Sequence, residues 1–236
     1  MADYRIALAG NPNTGKSTLF NALTGLRQHT GNWPGKTVIH AEGEYDFDGD
    51  TYTVIDLPGT YSLYSNSADE EVARDYIIFE KPDVTVVVLD ATALERNMNL
   101  ALQVLEMTGK VILCLNLMDE AERKGIRVDV DALAAKLGVP VVPTTARDGV
   151  GLKDLQKTIQ RMVRGEIITR PLQVRYNEEI EKNVAAMEPS IRSIYGEKLP
   201  ARWVALRLLD GDDSLLKALK ERWLERKEVP VHGRGA

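Results

Sequence analysis

An α/β protein is what the sequence predicts: a doubly wound, mostly parallel sheet with one antiparallel edge strand, followed by a small all-α domain. Three observations predict it. Short β-rich runs alternate with helix-period runs over residues 4–165. One of them, Val84-Thr85-Val86-Val87-Val88-Leu89, is almost wholly apolar, as a parallel strand covered on both faces must be. Beyond Arg170-Pro171 strand signals stop and only helical patterning remains.

The elements follow in order. Strands are expected at 4–9, 38–47, 51–56, 84–89, 111–115 and 140–143, with Asp48-Gly49 turning the second into the third as an antiparallel pair. Helices fill 16–24, 69–79, 95–107, 131–137 and 152–163. The composition changes near Gly165, so a first domain over 1–166 and a helical domain over 167–236 are expected. In the latter, Ile180, Val184, Met187, Ile191 and Ile194 make one apolar helix face. Leu206 and Leu209, then Leu215, Leu219 and Trp223, suggest two shorter helices split at 210–213.

Composition narrows the function classes. In 236 residues, 44% hydrophobic and 28% charged content is ordinary for a globular protein, and the net charge of −5 argues against binding nucleic acid. Cys114 is the only cysteine; set in the apolar run 111–115, it reads as a small buried hydrophobe in a reducing compartment. The chain starts directly into a strand pattern with no basic-then-apolar leader, and no apolar run approaches the ~20 residues that span a bilayer, so a cytoplasmic location is expected. Three histidines and one cysteine, widely scattered, make no iron-binding cluster.

Chemistry begins at Gly10-Asn11-Pro12-Asn13-Thr14-Gly15-Lys16-Ser17, which fits G-x-x-x-x-G-K-[ST] between a strand and a helix, the setting of a P-loop. Its backbone N–H groups, with Thr18 just beyond, would cradle phosphates at a helix N-terminus. Lys16 would place its charge between β- and γ-phosphates, and the Ser17 hydroxyl would ligate Mg²⁺. Another Gly-Lys-Thr, at Gly35-Lys36-Thr37, follows Gly31 one residue too closely and leads into a β-rich run, so it is no phosphate loop.

Asp-x-x-Gly occurs at Asp46–Gly49, Asp56–Gly59 and Asp148–Gly151. Only Asp56 ends an apolar strand, which places it to hold Mg²⁺ through water while the Gly59 N–H meets the γ-phosphate; the other two read as turns. Asn-x-x-Asp occurs twice. Asn66–Asp69 reads as a helix cap, whereas Asn116-Leu117-Met118-Asp119 follows a buried strand at the edge where bases bind. The Asp119 carboxylate can accept from guanine N1–H and the 2-amino group together, a donor pair that adenine lacks. Thr144, Thr145 and Ala146 follow the last strand, where a backbone N–H can reach guanine O6. A guanine nucleotide, GTP or GDP, is the expected ligand.

These pieces resemble a small translation-factor-type GTPase. Gly31-Asn32-Trp33-Pro34-Gly35-Lys36-Thr37-Val38, Asp56-Leu57-Pro58-Gly59-Thr60-Tyr61-Ser62-Leu63 and Leu94-Glu95-Arg96-Asn97, with Gly10–Asn13, resemble the cytosolic N-terminal region of the FeoB ferrous-iron transporters over nearly the whole chain. The resemblance implies that Thr37 is the switch I threonine that ligates Mg²⁺, that switch I surrounds Trp33 and switch II covers 59–67. It also implies that K⁺ stimulates hydrolysis with Asn11 as its side-chain ligand. Catalysis would then rest on Asn11, Lys16, Thr37 and Gly59, with slow intrinsic turnover. The partner implied is the membrane channel domain of the same full-length transporter, at the cytoplasmic face of the inner membrane; a homo-oligomer is compatible with the sequence.

Three departures stand out. Thr60 occupies the place of a water-orienting Gln, Leu117 that of a lysine packed on the nucleotide, which predicts quick GDP release, and Lys36 that of an apolar residue. Two alternatives remain at this level: a nucleotide-sensing interaction module with negligible hydrolysis, and a ribosome-associated potassium-type GTPase.

Overall fold

The computed structural model describes residues 2–25, 27–33, 38–64 and 67–227, with side chains as far as residue 222. They form two compact units dividing between Tyr176 and Asn177.

The first unit is built on a seven-stranded sheet in the order β2-β3-β4-β1-β5-β6-β7. The strands are β1 (Asp3–Gly10), β2 (Gln28–Asn32), β3 (Ile39–Phe47), β4 (Asp50–Asp56), β5 (Val84–Asp90), β6 (Val111–Asn116) and β7 (Val141–Pro143). Only β3 runs against the rest, paired antiparallel with β4 through the two-residue turn Asp48-Gly49, both at positive φ. The fold class is the expected one, but the edge carries a strand the sequence pattern did not reveal. β2 pairs antiparallel outside β3, from Gln28↔Gly43 to Asn32↔Ile39. It is polar and almost wholly exposed, so it carries no apolar alternation.

Helices α1 (Lys16–Thr24), α2 (Ala68–Asp75), α3 (Leu94–Met107), α4 (Met118–Arg123), α5 (Val130–Leu137) and α6 (Leu152–Val163) surround the sheet. Leu19 and Phe20 of α1 and Leu155 and Ile159 of α6 share a buried cluster with Ile6, Leu8, Val54, Val86 and Ile112. α3 packs on β5 and β1. α2 is shorter than its periodicity suggests, because Tyr76–Glu80 continues as a single π-helical turn. Its cap is Ser67, whose Oγ accepts the Glu70 N–H at 3.2 Å; Asn66, the expected cap, lies outside the described residues.

The first unit runs ten residues past the composition break. The Arg170 N–H donates to Gly138 O and the Leu172 N–H to Leu137 O, both at 2.9 Å, so the segment after α6 is laid along the end of α5. The second unit holds α7 (Glu178–Tyr195), α8 (Ala201–Leu209) and α9 (Asp213–Lys227). Asn177 caps α7 through the Ile180 N–H at 2.9 Å. Val184 and Ile191 of its expected apolar face are buried, whereas Ile194 is exposed. Trp203, Val204 and Leu206 supply the buried face of α8, and Leu209 is exposed. Trp223 lies outside the described side chains.

Candidate functional site

β1 delivers the chain at Gly10 into the loop that ends in α1, at the C-terminal edge of the parallel strands. Asn13 (φ 66°) and Gly15 (φ 79°) take left-handed conformations, which fold the loop back on itself. At Gly15 a side chain is also excluded by space, since a Cβ would lie 2.4 Å from Asn116 Nδ2. Thr14 is buried and its hydroxyl donates to Asn11 O at 3.0 Å, bracing the loop from inside. Ser17 and Thr18, in the first turn of α1, are exposed.

Lys16 reaches across to the end of β4, where its ammonium contacts the Asp56 carboxylate and donates to Leu57 O at 2.6 Å. Burial pushes the Asp56 carboxyl up from its ordinary value, and the Lys16 charge opposes that shift. Gly59 lies against the loop: a Cβ there would stand 3.5 Å from Pro12 Cα. The Thr60 N–H donates to Gly10 O at 3.2 Å. The other two Asp-x-x-Gly copies are turns, at the β3–β4 hairpin and before α6. Thr37 lies outside the described residues.

The base edge is assembled around Asn116. Its amide Nδ2 donates to Thr14 O at 3.0 Å, while its Oδ1 accepts from Thr144 Oγ1 at 3.1 Å and from the Ala146 N–H at 3.0 Å. A side chain that is 1% exposed thus ties the phosphate loop to the loop after β7. Leu117 follows at φ 62°, a strained setting for a γ-branched residue, and turns the chain into α4. A cavity of about 130 Å³ opens between Gly15, Thr18, Asn116, Leu117, Asp119 and Ala146. Residues expected to meet phosphate and residues expected to meet a base therefore line one pocket.

Two features of this edge escaped the sequence. Arg147 also lines the pocket, and its Nη2 lies 3.0 Å from Asp119 Oδ2; Arg123 Nη2 reaches the same oxygen at 3.0 Å from one helical turn away. The Arg123 partner was legible in its i,i+4 spacing, but nothing in sequence marks a pairing across 28 positions. The second feature concerns the loop N–H groups. Thr145 N–H donates to Val150 O at 3.0 Å and Ala146 N–H to Asn116, so reading guanine O6 through either requires one of these bonds to exchange.

The donor chemistry fits the cations that the motifs imply. Ser17 and Asp56 offer the hard oxygen ligands that Mg²⁺ takes. Asn11 is 1% exposed, and both its amide oxygen and nitrogen are buried without a hydrogen-bond partner. Leaving such a group unsatisfied costs about 1–3 kcal/mol, and a cation on the oxygen would relieve half of it. Cys114, by contrast, is inert: burial pushes its thiol up to about 12, and it packs 3.2 Å from the Thr144 hydroxyl.

With the phosphate loop, Asp56 and Asn116–Asp119 edge in one geometry, the comparisons with known proteins become specific. Residues 4–159 match the family model described as ferrous iron transport protein B, and residues 176–230 match the FeoB cytosolic helical domain. The chain belongs to the FeoB family. The FeoB of Methanocaldococcus jannaschii is 45% identical over 97% of this chain and 34% of that protein; that of Escherichia coli K12 is 40% identical over 90% and 27%. The chain thus spans about a quarter to a third of the FeoB transporters it matches. Among solved structures, the cytosolic domain of Thermotoga maritima FeoB in apo form superposes with a TM-score of 0.85 at 39% identity, covering 92% of this chain and 84% of that one. The same domain is similar in a GDP form (TM-score 0.84, 39% identity, 91% and 83% covered) and in a GMPPNP form (0.83, 36%, 98% and 88%). The phosphate loop and the Asp56 and Asn116–Asp119 motifs of this chain all lie within the matched residues 4–159. No helix among its described residues is long and apolar enough to cross a membrane.

Proposed function

We propose that this chain is the GTP-hydrolysing cytosolic region of a ferrous-iron transporter, Mg²⁺-dependent and K⁺-stimulated, whose nucleotide state is coupled to iron uptake. The observation that carries the nucleotide reading is the Asn116 amide bridge, which holds the phosphate loop and the Asp119 edge around one cavity. The relatives bound to GDP and GMPPNP support a guanine nucleotide there.

Each residue then has a task. The loop N–H groups and Lys16 bind the phosphates, Lys16 giving up its contact with Asp56 to do so. Asp119 accepts from the guanine edge, exchanging at least one arginine contact. Ser17, Asp56 and Thr37 would hold Mg²⁺, which spreads phosphate charge when bound. Asn11 would hold K⁺, and the cation would supply there the charge that an arginine finger supplies elsewhere. Gly59 meets the γ-phosphate through its N–H. The helical domain, proposed from sequence over 167–236, would pass the nucleotide state to the membrane channel domain of the same protein at the cytoplasmic face.

GTP turnover measured in KCl and in NaCl tests this reading. Turnover should be higher in K⁺, and Asn11→Ala should abolish the difference while leaving GDP affinity close to wild type. An Asn11→Ala variant with the full K⁺ response would remove the assigned ligand.

A second reading, a nucleotide-sensing module with negligible hydrolysis, draws on Thr60: it is 5% exposed and too short to orient a water as a Gln does. Single-turnover hydrolysis by the isolated chain separates the two. A ribosome-associated role finds no support, since residues 176–230 match the FeoB helical domain.

A further inference from the structure

Three side chains of α3 converge on the four residues that follow Gly59. Gln103, 6% exposed, accepts the Leu63 N–H on Oε1 at 2.7 Å. Its Nε2 donates to Asn99 Oδ1 at 3.3 Å, and Asn99 Nδ2 donates to Tyr61 O at 3.3 Å. Arg96 places its guanidinium carbon 5.1 Å from the Tyr61 ring centroid. The spacing 96, 99, 103 keeps all three on one side of the helix. At its other end the same segment is pinned to the phosphate loop, by Thr60 N–H on Gly10 O at 3.2 Å and by Gly59 against Pro12. Residues 60–63 belong to no helix or strand. Their position is therefore set by these anchors, with the Ser62 hydroxyl on Glu70 Oε1 at 2.8 Å and the buried Leu63 side chain, rather than by a ladder of their own.

A buried glutamine is most often a core amide that satisfies itself locally. Gln103 differs, because the groups that it and Asn99 satisfy are main-chain atoms 40 and 38 positions away, just past the residue expected to meet the γ-phosphate. Thr60 offers no long side chain to orient a nucleophile, so that work falls to the main chain around Gly59 and Thr60. Main-chain orientation is only as exact as the anchors that hold it.

We propose that Gln103, relayed through Asn99, is a positioning residue for GTP hydrolysis: it fixes the main chain at Gly59–Thr60 against the phosphate loop. This rests on the GTPase reading. The experiment is single-turnover hydrolysis by the full chain with saturating GTP, Mg²⁺ and K⁺, alongside GDP affinity and KM. Gln103→Met keeps the volume and removes both polar groups. Gln103→Glu keeps the acceptor for Leu63 and removes the donor to Asn99. Asn99→Ala, at an exposed position, tests the relay with little risk to folding.

The expected result is a hydrolysis rate at least roughly tenfold lower in Gln103→Met, with GDP affinity and KM within about twofold of wild type. Gln103→Glu and Asn99→Ala should fall between. Leu63 amide exchange should quicken in the same order. Folded variants that hydrolyse at the wild-type rate would overturn the proposal alone. A wild-type chain without turnover would remove the hydrolysis reading and this proposal with it. Should Gln103→Met fail to fold, Asn99→Ala decides: an unchanged rate overturns the relay.

Discussion

Asp119 is the residue on which base choice should turn. A carboxylate accepts from the two donors on the guanine edge, whereas an amide presents one donor and one acceptor, which suits xanthine with its second carbonyl. Asp119→Asn should therefore lose GTP affinity by about 100-fold or more and gain xanthosine triphosphate, read by competition against a fluorescent nucleotide. Much at this scale was legible in the sequence. The motifs named Gly15, Thr18, Asn116, Leu117 and Asp119, which line one cavity, and Asp56, which meets Lys16 at the end of β4. The internal wiring of the site was not legible. Asn116 serves the fold as a tie between residues 14, 144 and 146, and Arg147, in the short 3-10 turn after β7, reaches Asp119 in α4. Such pairings depend on loop conformation, which no spacing rule encodes.

Elements with a strong period or an apolar run were readable; those held by backbone pairing alone were not. β5 is buried from Val84 to Leu89 and announces itself, while β2 exists because β3 offers it a free edge. Its residues are polar and exposed, as an edge strand tolerates. The start of α2 shows the same limit on a finer scale: two neighbouring cap-type residues, Asn66 and Ser67, cannot be ranked from composition. Ser67→Ala should destabilise the chain by about 1 kcal/mol, measured by urea unfolding, because the Glu70 N–H loses its partner. Nucleotide affinity should change little.

For the molecule as a whole, the sequence predicted an α/β unit followed by helices, and composition placed the join near 166. The first unit extends to Tyr176 because its last stretch is held by contacts distant in sequence. Gly138 is at φ 70°, and a Cβ there would stand 1.8 Å from Arg170 O, so this position admits the chain only by lacking a side chain. A chain ending at 176 should fold and bind GDP as the full chain does. One ending at 166 should unfold at lower urea, since the Arg170–Gly138 and Leu172–Leu137 hydrogen bonds are lost. Equal midpoints for the two truncations would place the join at the composition break instead.

The Asn116 amide has a further consequence when GDP is treated as a bivalent ligand. Its base and its diphosphate are two feet, and on the proposed reading the bridge fixes the distance between their footholds. That distance sets the effective concentration at which the second foot finds its place once the first is down. Asn116→Ala should leave guanosine and pyrophosphate, each binding alone, close to their wild-type affinities. GDP should weaken towards the stronger of the two, as its feet cease to cooperate.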